Sequence, residues 1–226
     1  MLQCIDLGFD YNGRTLYRDL SLTVSPGETV AILGRSGCGK STLLRQVAGL
    51  LEGDGDSSWD GIRISPDLRL TSYVPQDAGL LPHLTVFENV ALAAKLGGRG
   101  DITEHLEQVG LRDAASRYPS ALSGGMRARV AFARAMMLAR PILLLDEPFA
   151  SLDARTRSEM QNWLQQLLQT SEMATLLVTH SIDEAFLLAE HVYFLDGTNA
   201  SFKRCADRTA AEKYFGLLET FPDELA

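Results

Sequence analysis

The stretch Thr29-Val-Ala-Ile-Leu33-Gly34-Arg35-Ser36-Gly37-Cys38-Gly39-Lys40-Ser41-Thr42 changes character twice. Its first five residues are apolar or β-branched without alternation, the pattern of a strand buried on both faces. Gly34 to Gly39 is a glycine-rich bend. From Lys40 onward Leu43, Leu44, Val47, Leu50 and Leu51 recur at spacings of three and four, which predicts a helix. Gly34 to Ser41 meets the pattern G-x-x-x-x-G-K-[ST] in full. Glycine-rich turns do match this pattern by chance, but strand, loop, helix is the context it requires. Glycines let the backbone wind tightly, so that successive N–H groups point inward at phosphate. The helix start adds its positive dipole end. Lys40 can then reach β- and γ-phosphates, and Ser41 can place its hydroxyl on Mg²⁺. All nine residues from Gly34 to Thr42 are candidates for this cradle.

Outward from this motif, Ser21 to Val24 reads as a short strand and Pro26-Gly27-Glu28 as a turn. Gly53 to Asp60, small and polar, reads as a loop. Ser72-Tyr-Val-Pro75 ends an extended segment. From Asp77 to about Leu138 the chain turns helical: Glu88 to Lys95 is a good helix former, Gly97 to Gly100 breaks it, and Ile102 to Val109 can form another helix. Strand character returns at Ile142-Leu-Leu-Leu-Asp146. Met160, Trp163, Leu164, Leu167 and Leu168 mark one face of a helix. Thr175 to Thr179 is a further buried strand, and Ser181 can cap a helix with Ile182, Ala185, Phe186 and Ala189 inside. His191 to Leu195 is a candidate last strand; signals beyond Gly197 are weak. Alternating buried strands and helices predict an α/β layer structure interrupted by a helical lobe. The expected division is one domain over 1–226, with a core of 1–76 and 139–226 and a lobe of 77–138.

Three further residues carry chemistry. Asp146, at the end of a buried strand, can hold Mg²⁺ directly or through water. Glu147 would point to the other side, free to polarise an attacking water. His180 follows the Thr175–Thr179 strand, which in a parallel sheet places it at the ligand edge. A strand-end acid pair facing solvent and a structural histidine are the plain alternatives. His83, His105 and His191 lack such a setting. Cys38, inside the loop, is either open to thiol reagents or simply small enough for the turn.

The formal charge of the 226 residues is −8, which makes a poor general platform for nucleic acid. No stretch approaches the roughly 18 uncharged apolar residues of a membrane span, and Met1 to Gly8 lacks a signal-peptide pattern. A cytoplasmic chain is expected, with any membrane span supplied by a partner. Three well-separated cysteines argue against a disulfide framework or a zinc site.

Together these residues resemble the nucleotide-binding subunit of ABC transporters. The most specific match is Leu122-Ser123-Gly124-Gly125-Met126, which looks like that family's LSGGQ signature with Met126 where glutamine is usual. A small-residue turn at a helix N-terminus again presents N–H groups to an anion. Tyr11 resembles the aromatic that stacks on adenine, with Phe9 as a rival. Gln76 resembles the Q-loop glutamine that senses Mg²⁺ and water, Ser151-Leu152-Asp153 the D-loop, and His180 the switch histidine.

The family implies an α/β fold: a RecA-like P-loop NTPase core with a mostly parallel sheet, an antiparallel β subdomain and an inserted α-helical signature subdomain. It also implies binding and hydrolysis of ATP with Mg²⁺. Two subunits would meet head to tail around two ATPs, with Ser123 and Gly125 of one facing the γ-phosphate held by Lys40 of the other. Implied partners are transmembrane permease subunits, a second ATPase subunit and a substrate-binding protein, at the cytoplasmic face of the inner membrane. Tyr118-Pro119-Ser120-Ala121 looks importer-like. Leu81 to Asn89, Asp146 to Asp153 and Val178 to Ala185 look like importers of nitrate, sulfonate, taurine or thiamine-precursor type. Export, lipid trafficking or complex remodelling would use the same catalytic residues. A GTPase would carry N-K-x-D, which is not present, and a small-molecule kinase has no use for Leu122 to Gly125. A module that holds ATP without turnover is disfavoured by Glu147 and His180.

Overall fold

The computed structural model describes residues 1–197 and 200–219. The expected domain end at 226 lies outside them. The chain opens with a hairpin, β1 (Leu2–Tyr11) and β2 (Arg14–Val24), then enters β3 (Thr29–Leu33), the phosphate loop and α1 (Lys40–Val47). Next come β4 (Asp54–Trp59), the short β5 (Ile62–Arg63) and β6 (Thr71–Val74). Helices α2 (Val86–Lys95), α3 (Ile102–Gln108) and α4 (Gly124–Leu138) follow without an intervening strand. β7 (Ile142–Asp146), α5 (Ala154–Gln169), β8 (Ala174–Thr179), α6 (Ile182–Leu188) and β9 (His191–Asp196) restore alternation. β10 (Ser201–Cys205) and α7 (Arg208–Glu219) close the described chain.

Two sheets result. The larger has the order β10-β9-β3-β8-β7-β6, parallel throughout except for β10. The smaller, β2-β1-β4-β5, is antiparallel. Register explains the continuous apolar runs. Val30, Ile32, Leu144, Leu176 and Val178 pack on one face with α1 and the small sheet. Ala31, Leu33, Leu143, Leu145 and Leu177 pack on the other with α5 and α6. Both faces are covered, so neither set can be polar.

The stretch between β6 and β7 has a core of its own. Val86, Val90, Leu106 and Leu111 meet Val130, Ala133 and Met137 of α4. Ala128, Ala131, Phe132 and Ala135, on the other side of α4, join the main core. This one helix therefore couples the lobe to the sheet. Thr85 and Glu88 form a reciprocal cap at the start of α2, and Asp101 caps α3.

Four expectations change. Gly53 to Asp60 contains β4 rather than a loop. It pairs with β1 while most of its side chains stay out of the core, so backbone bonding holds it and no apolar alternation marks it. The strand expected at Ser21 begins at Arg14. The helix at Lys40 ends at Val47; Gly49, at φ 72°, turns the chain, and Leu50 is exposed. The weak region after Gly197 holds β10 and α7.

Candidate functional site

Parallel pairing brings the chemistry to one edge of the large sheet. Leu33 lies opposite Thr179, Asp146 opposite Val178, and Val74 opposite Leu145. The phosphate loop, Asp146-Glu147, His180 and the turn carrying Gln76 therefore leave from carboxyl ends of adjacent strands, where open α/β sheets bind ligands. Gly39 precedes α1 at φ 106°, a conformation that penalises a side chain, and a Cβ there would lie 3.1 Å from Leu16 Cβ. Arg35, Ser36 and Gly37 form the exposed rim of the loop, with Ser41 and Thr42 half-buried at the start of α1.

Lys40 is buried. Its Nζ donates to the carbonyls of Gly34 and Arg35, each at 2.9 Å, and lies 3.2 Å from Glu147 Oε1. His180 Nδ1 is 2.8 Å from Glu147 Oε2, with the imidazole donating to the carboxylate. Asp146 and Glu147 both reach the start of α1, at Ser41 and Lys40 respectively, and Glu147 is not free. Its backbone turns back at φ 43°, its N–H donates to the carbonyl of Val178, and its carboxylate is held between a lysine and a histidine. A non-glycine residue in this left-handed region is uncommon and marks a constrained turn.

Asp146 is buried and held on both oxygens. Ser41 Oγ donates to Oδ1 at 2.8 Å and the Tyr73 hydroxyl donates to Oδ2 at 2.6 Å. Burial first, then the bond to Asp146 and its charge, push the Tyr73 phenol well above its ordinary value, against a smaller downward pull from Arg45. The donors are oxygens from one hydroxyl and one carboxylate, and no group of three or more His, Cys, Asp or Glu that could hold a metal occurs among the described residues. That set fits Mg²⁺, which takes one or two protein oxygens and completes its shell from phosphate and water. Gln76 is exposed on the turn after β6, in a cleft with Gly124, Arg127, Pro148 and Ser151. Cys38 faces inward: burial raises its thiol pKa, outweighing the nearby Lys40 charge. Both the burial and the direction of that shift disfavour the thiolate a reagent would need, which favours the packing reading.

The signature residues sit elsewhere. Ser123 is exposed and caps α4, accepting from the N–H of Met126 at 3.3 Å. Gly125 is buried against α5, where a Cβ would come 2.4 Å from Thr156 Cγ2; at Gly124 it would meet Leu152 Cδ2 at 3.1 Å. Asp153 caps α5, and the N–H of Thr156 holds its carboxyl below the usual range. Tyr11 ends β1 with 62% of its surface exposed, while its rival Phe9 packs 6.3 Å from the Tyr17 ring. Of the other histidines, His105 meets the Asp101 carbonyl, and His191 meets Arg204 and Glu28.

Three residues beside the site escape a sequence reading. Tyr73 looks like one more apolar strand residue. Arg134, in the last third of α4, donates to the carbonyls of Ala78 and Gly79 and so ties the segment after Gln76 to the signature helix. Glu184 is buried, bonded to Thr179 Oγ1 at 2.5 Å and to Gln161, and holds the residue before His180. A phenol, a guanidinium and a carboxylate inside apolar patterns are the signal available, but nothing in the sequence names their partners.

A family model described as "ABC transporter" matches residues 17–150. The aliphatic sulfonates import ATP-binding protein SsuB of Cupriavidus necator is 46% identical over 204 residues, covering 87% of this chain and 66% of that protein. The protein of the same name from Yersinia pestis is 42% identical, covering 84% of this chain and 70% of that one. Among solved structures, the dimeric bacterial ABC transporter cassette MJ0796 superposes with a TM-score of 0.75 at 29% identity, covering 86% of this chain and 94% of that chain. A post-hydrolysis state of the same cassette, bound to ADP and Pi, gives 0.76 at 29% identity over 87% and 95%.

Proposed function

Because the chain belongs to the ABC transporter family, we propose that it is the ATP-binding and ATP-hydrolysing subunit of a membrane importer. The observation that carries this reading is the Glu147 carboxylate, fixed between Lys40 Nζ and His180 Nδ1 beside a buried Asp146. Lys40 binds the β- and γ-phosphates, and the N–H groups of the loop and of the α1 start surround them. Tyr11 stacks on the base. Ser41 and Asp146, with Gln76 nearby, would hold Mg²⁺, which when bound would supply positive charge to offset that developing on the phosphates. As Lys40 turns to the phosphates, Glu147 is released to take a proton from the attacking water. His180 orients that water and the γ-phosphate.

Ser123 and Gly125 act on a second copy. Exposure of the Ser123 hydroxyl at a helix start supports a head-to-tail dimer with Asp153 at the seam. We read 1–226 as one ABC ATPase domain, with 77–138 as the lobe that meets permease subunits. No helix among the described residues is long and apolar enough to cross a membrane. In this reading the permeases supply the span and the chain works peripherally at the cytoplasmic face. The relatives' names make aliphatic sulfonates the cargo class to test, delivered by a substrate-binding protein.

Glu147→Gln tests the core of this reading. It should cut ATP turnover by about 10²- to 10⁴-fold while an ATP-dependent dimer accumulates in size-exclusion chromatography. Hydrolysis at the parent rate would remove Glu147 as the base.

A further inference from the structure

We propose that Tyr73 is a positioning residue that orients the Asp146 carboxylate for Mg²⁺; this rests on the reading of Asp146 as a metal-holding group. Tyr73 lies on β6 opposite Leu144, two residues before Asp146 at the end of β7. Its hydroxyl reaches along the strand pair to donate to Oδ2 at 2.6 Å, while Ser41 donates to Oδ1 at 2.8 Å.

A carboxylate rotates easily about its terminal torsion. Two donors on different oxygens fix that rotation. With Tyr73 on Oδ2, Oδ1 is turned to the Ser41 hydroxyl, the other candidate metal ligand. Ser41 and Arg45 are one turn apart on α1, and the Arg45 charge pulls the pKa of the same phenol down against the larger effect of burial. The helix that follows the phosphate loop thus reaches Asp146 directly through Ser41, while Tyr73 reaches it from the neighbouring strand. The aromatic ring also packs against the main core, so its packing role and its hydroxyl role separate cleanly in Tyr73→Phe.

Partners that orient a metal ligand typically contribute 10- to 100-fold in metal affinity. The experiment measures binding of a β,γ-imido ATP analogue by calorimetry, first in EDTA and then across a Mg²⁺ titration. The parent, Tyr73→Phe and Asp146→Asn are compared below their melting temperatures. Tyr73→Phe should need about tenfold more Mg²⁺ for half of the metal-dependent gain, with unchanged binding in EDTA. An unchanged Mg²⁺ titration in Tyr73→Phe, with Asp146→Asn clearly shifted, overturns the proposal and leaves the Asp146 reading intact. A Tyr73→Phe loss of equal size in EDTA also overturns it, since the hydroxyl would then serve the fold alone. If Asp146→Asn leaves the titration unchanged, the metal reading fails and Tyr73 falls with it.

Discussion

The phosphate loop and the signature turn both present N–H groups at a helix start, yet they are built on opposite plans. At the phosphate loop the chain satisfies itself: Lys40 bonds two carbonyls and Glu147, Glu147 bonds His180, and Asp146 bonds Ser41 and Tyr73. At the signature turn the Ser123 hydroxyl faces out and caps the Met126 N–H, while Gly125 lies against α5 and Gly124 against Leu152 just before it. One end is preorganised by its own chain. The other is a shaped surface whose small residues serve internal packing as well as access.

The largest expected break in this contrast is Lys40→Met. Hydrogen bonds from a charged group contribute about 1.5–3 kcal/mol each, so ATP affinity should fall about 10- to 100-fold by calorimetry. Undiminished binding would mean that the buried network is only structural. Next is Gly125→Ala, whose Cβ collides with Thr156 Cγ2. Overpacking of this kind costs about 1–3 kcal/mol, read as a lower melting temperature, and Gly125→Ala with Thr156→Ala should recover most of it. If the single variant melts like the parent, the glycine is there for the partner and not for α5.

Met126→Gln should be mild. Met126 contributes its N–H to Ser123, which glutamine retains. A change in ATPase rate within about twofold, the scale of about 0.5 kcal/mol for substitutions away from special features, is expected; a collapse would refute this reading of the position. The smallest effect is a pH dependence at Asp153. Its carboxyl is held low in the fold by the Thr156 N–H. The stabilisation is therefore complete above the unfolded value of about 3.9 and is lost as pH falls through the folded one. Asp153→Asn keeps a cap but no charge. Its melting temperature should lie below the parent's at pH 7 and converge with it in acid. A gap that persists at low pH would place the contribution of Asp153 outside its ionisation.

Much of this was legible in the residues. The runs at Thr29, Ile142 and Thr175 announced parallel strands because burial on two faces permits no polar alternation. The caps at Ser181 and Asp153 work through near neighbours, and Ser181 shows as a cap in sequence. β4 was hidden because it is held by backbone pairing and buries little. β10 and α7 were hidden because their apolar residues make weak periodicity. That Glu147 is held between Lys40 and His180 rather than free was hidden, since strand alternation says nothing of a left-handed turn at φ 43°.

By itself the sequence determined the phosphate-binding chemistry, because that chemistry depends on glycines, a lysine and a hydroxyl spaced along one local segment. It also determined the order of buried strands, since solvent exclusion selects residue type directly. Only the tertiary structure decided who holds whom. Asp146 meets Ser41 across 105 positions and Tyr73 across 73, and Glu147 meets His180 across 33. Such pairs depend on strand order and register, which local residue patterns leave open and the packing of two faces on one sheet fixes.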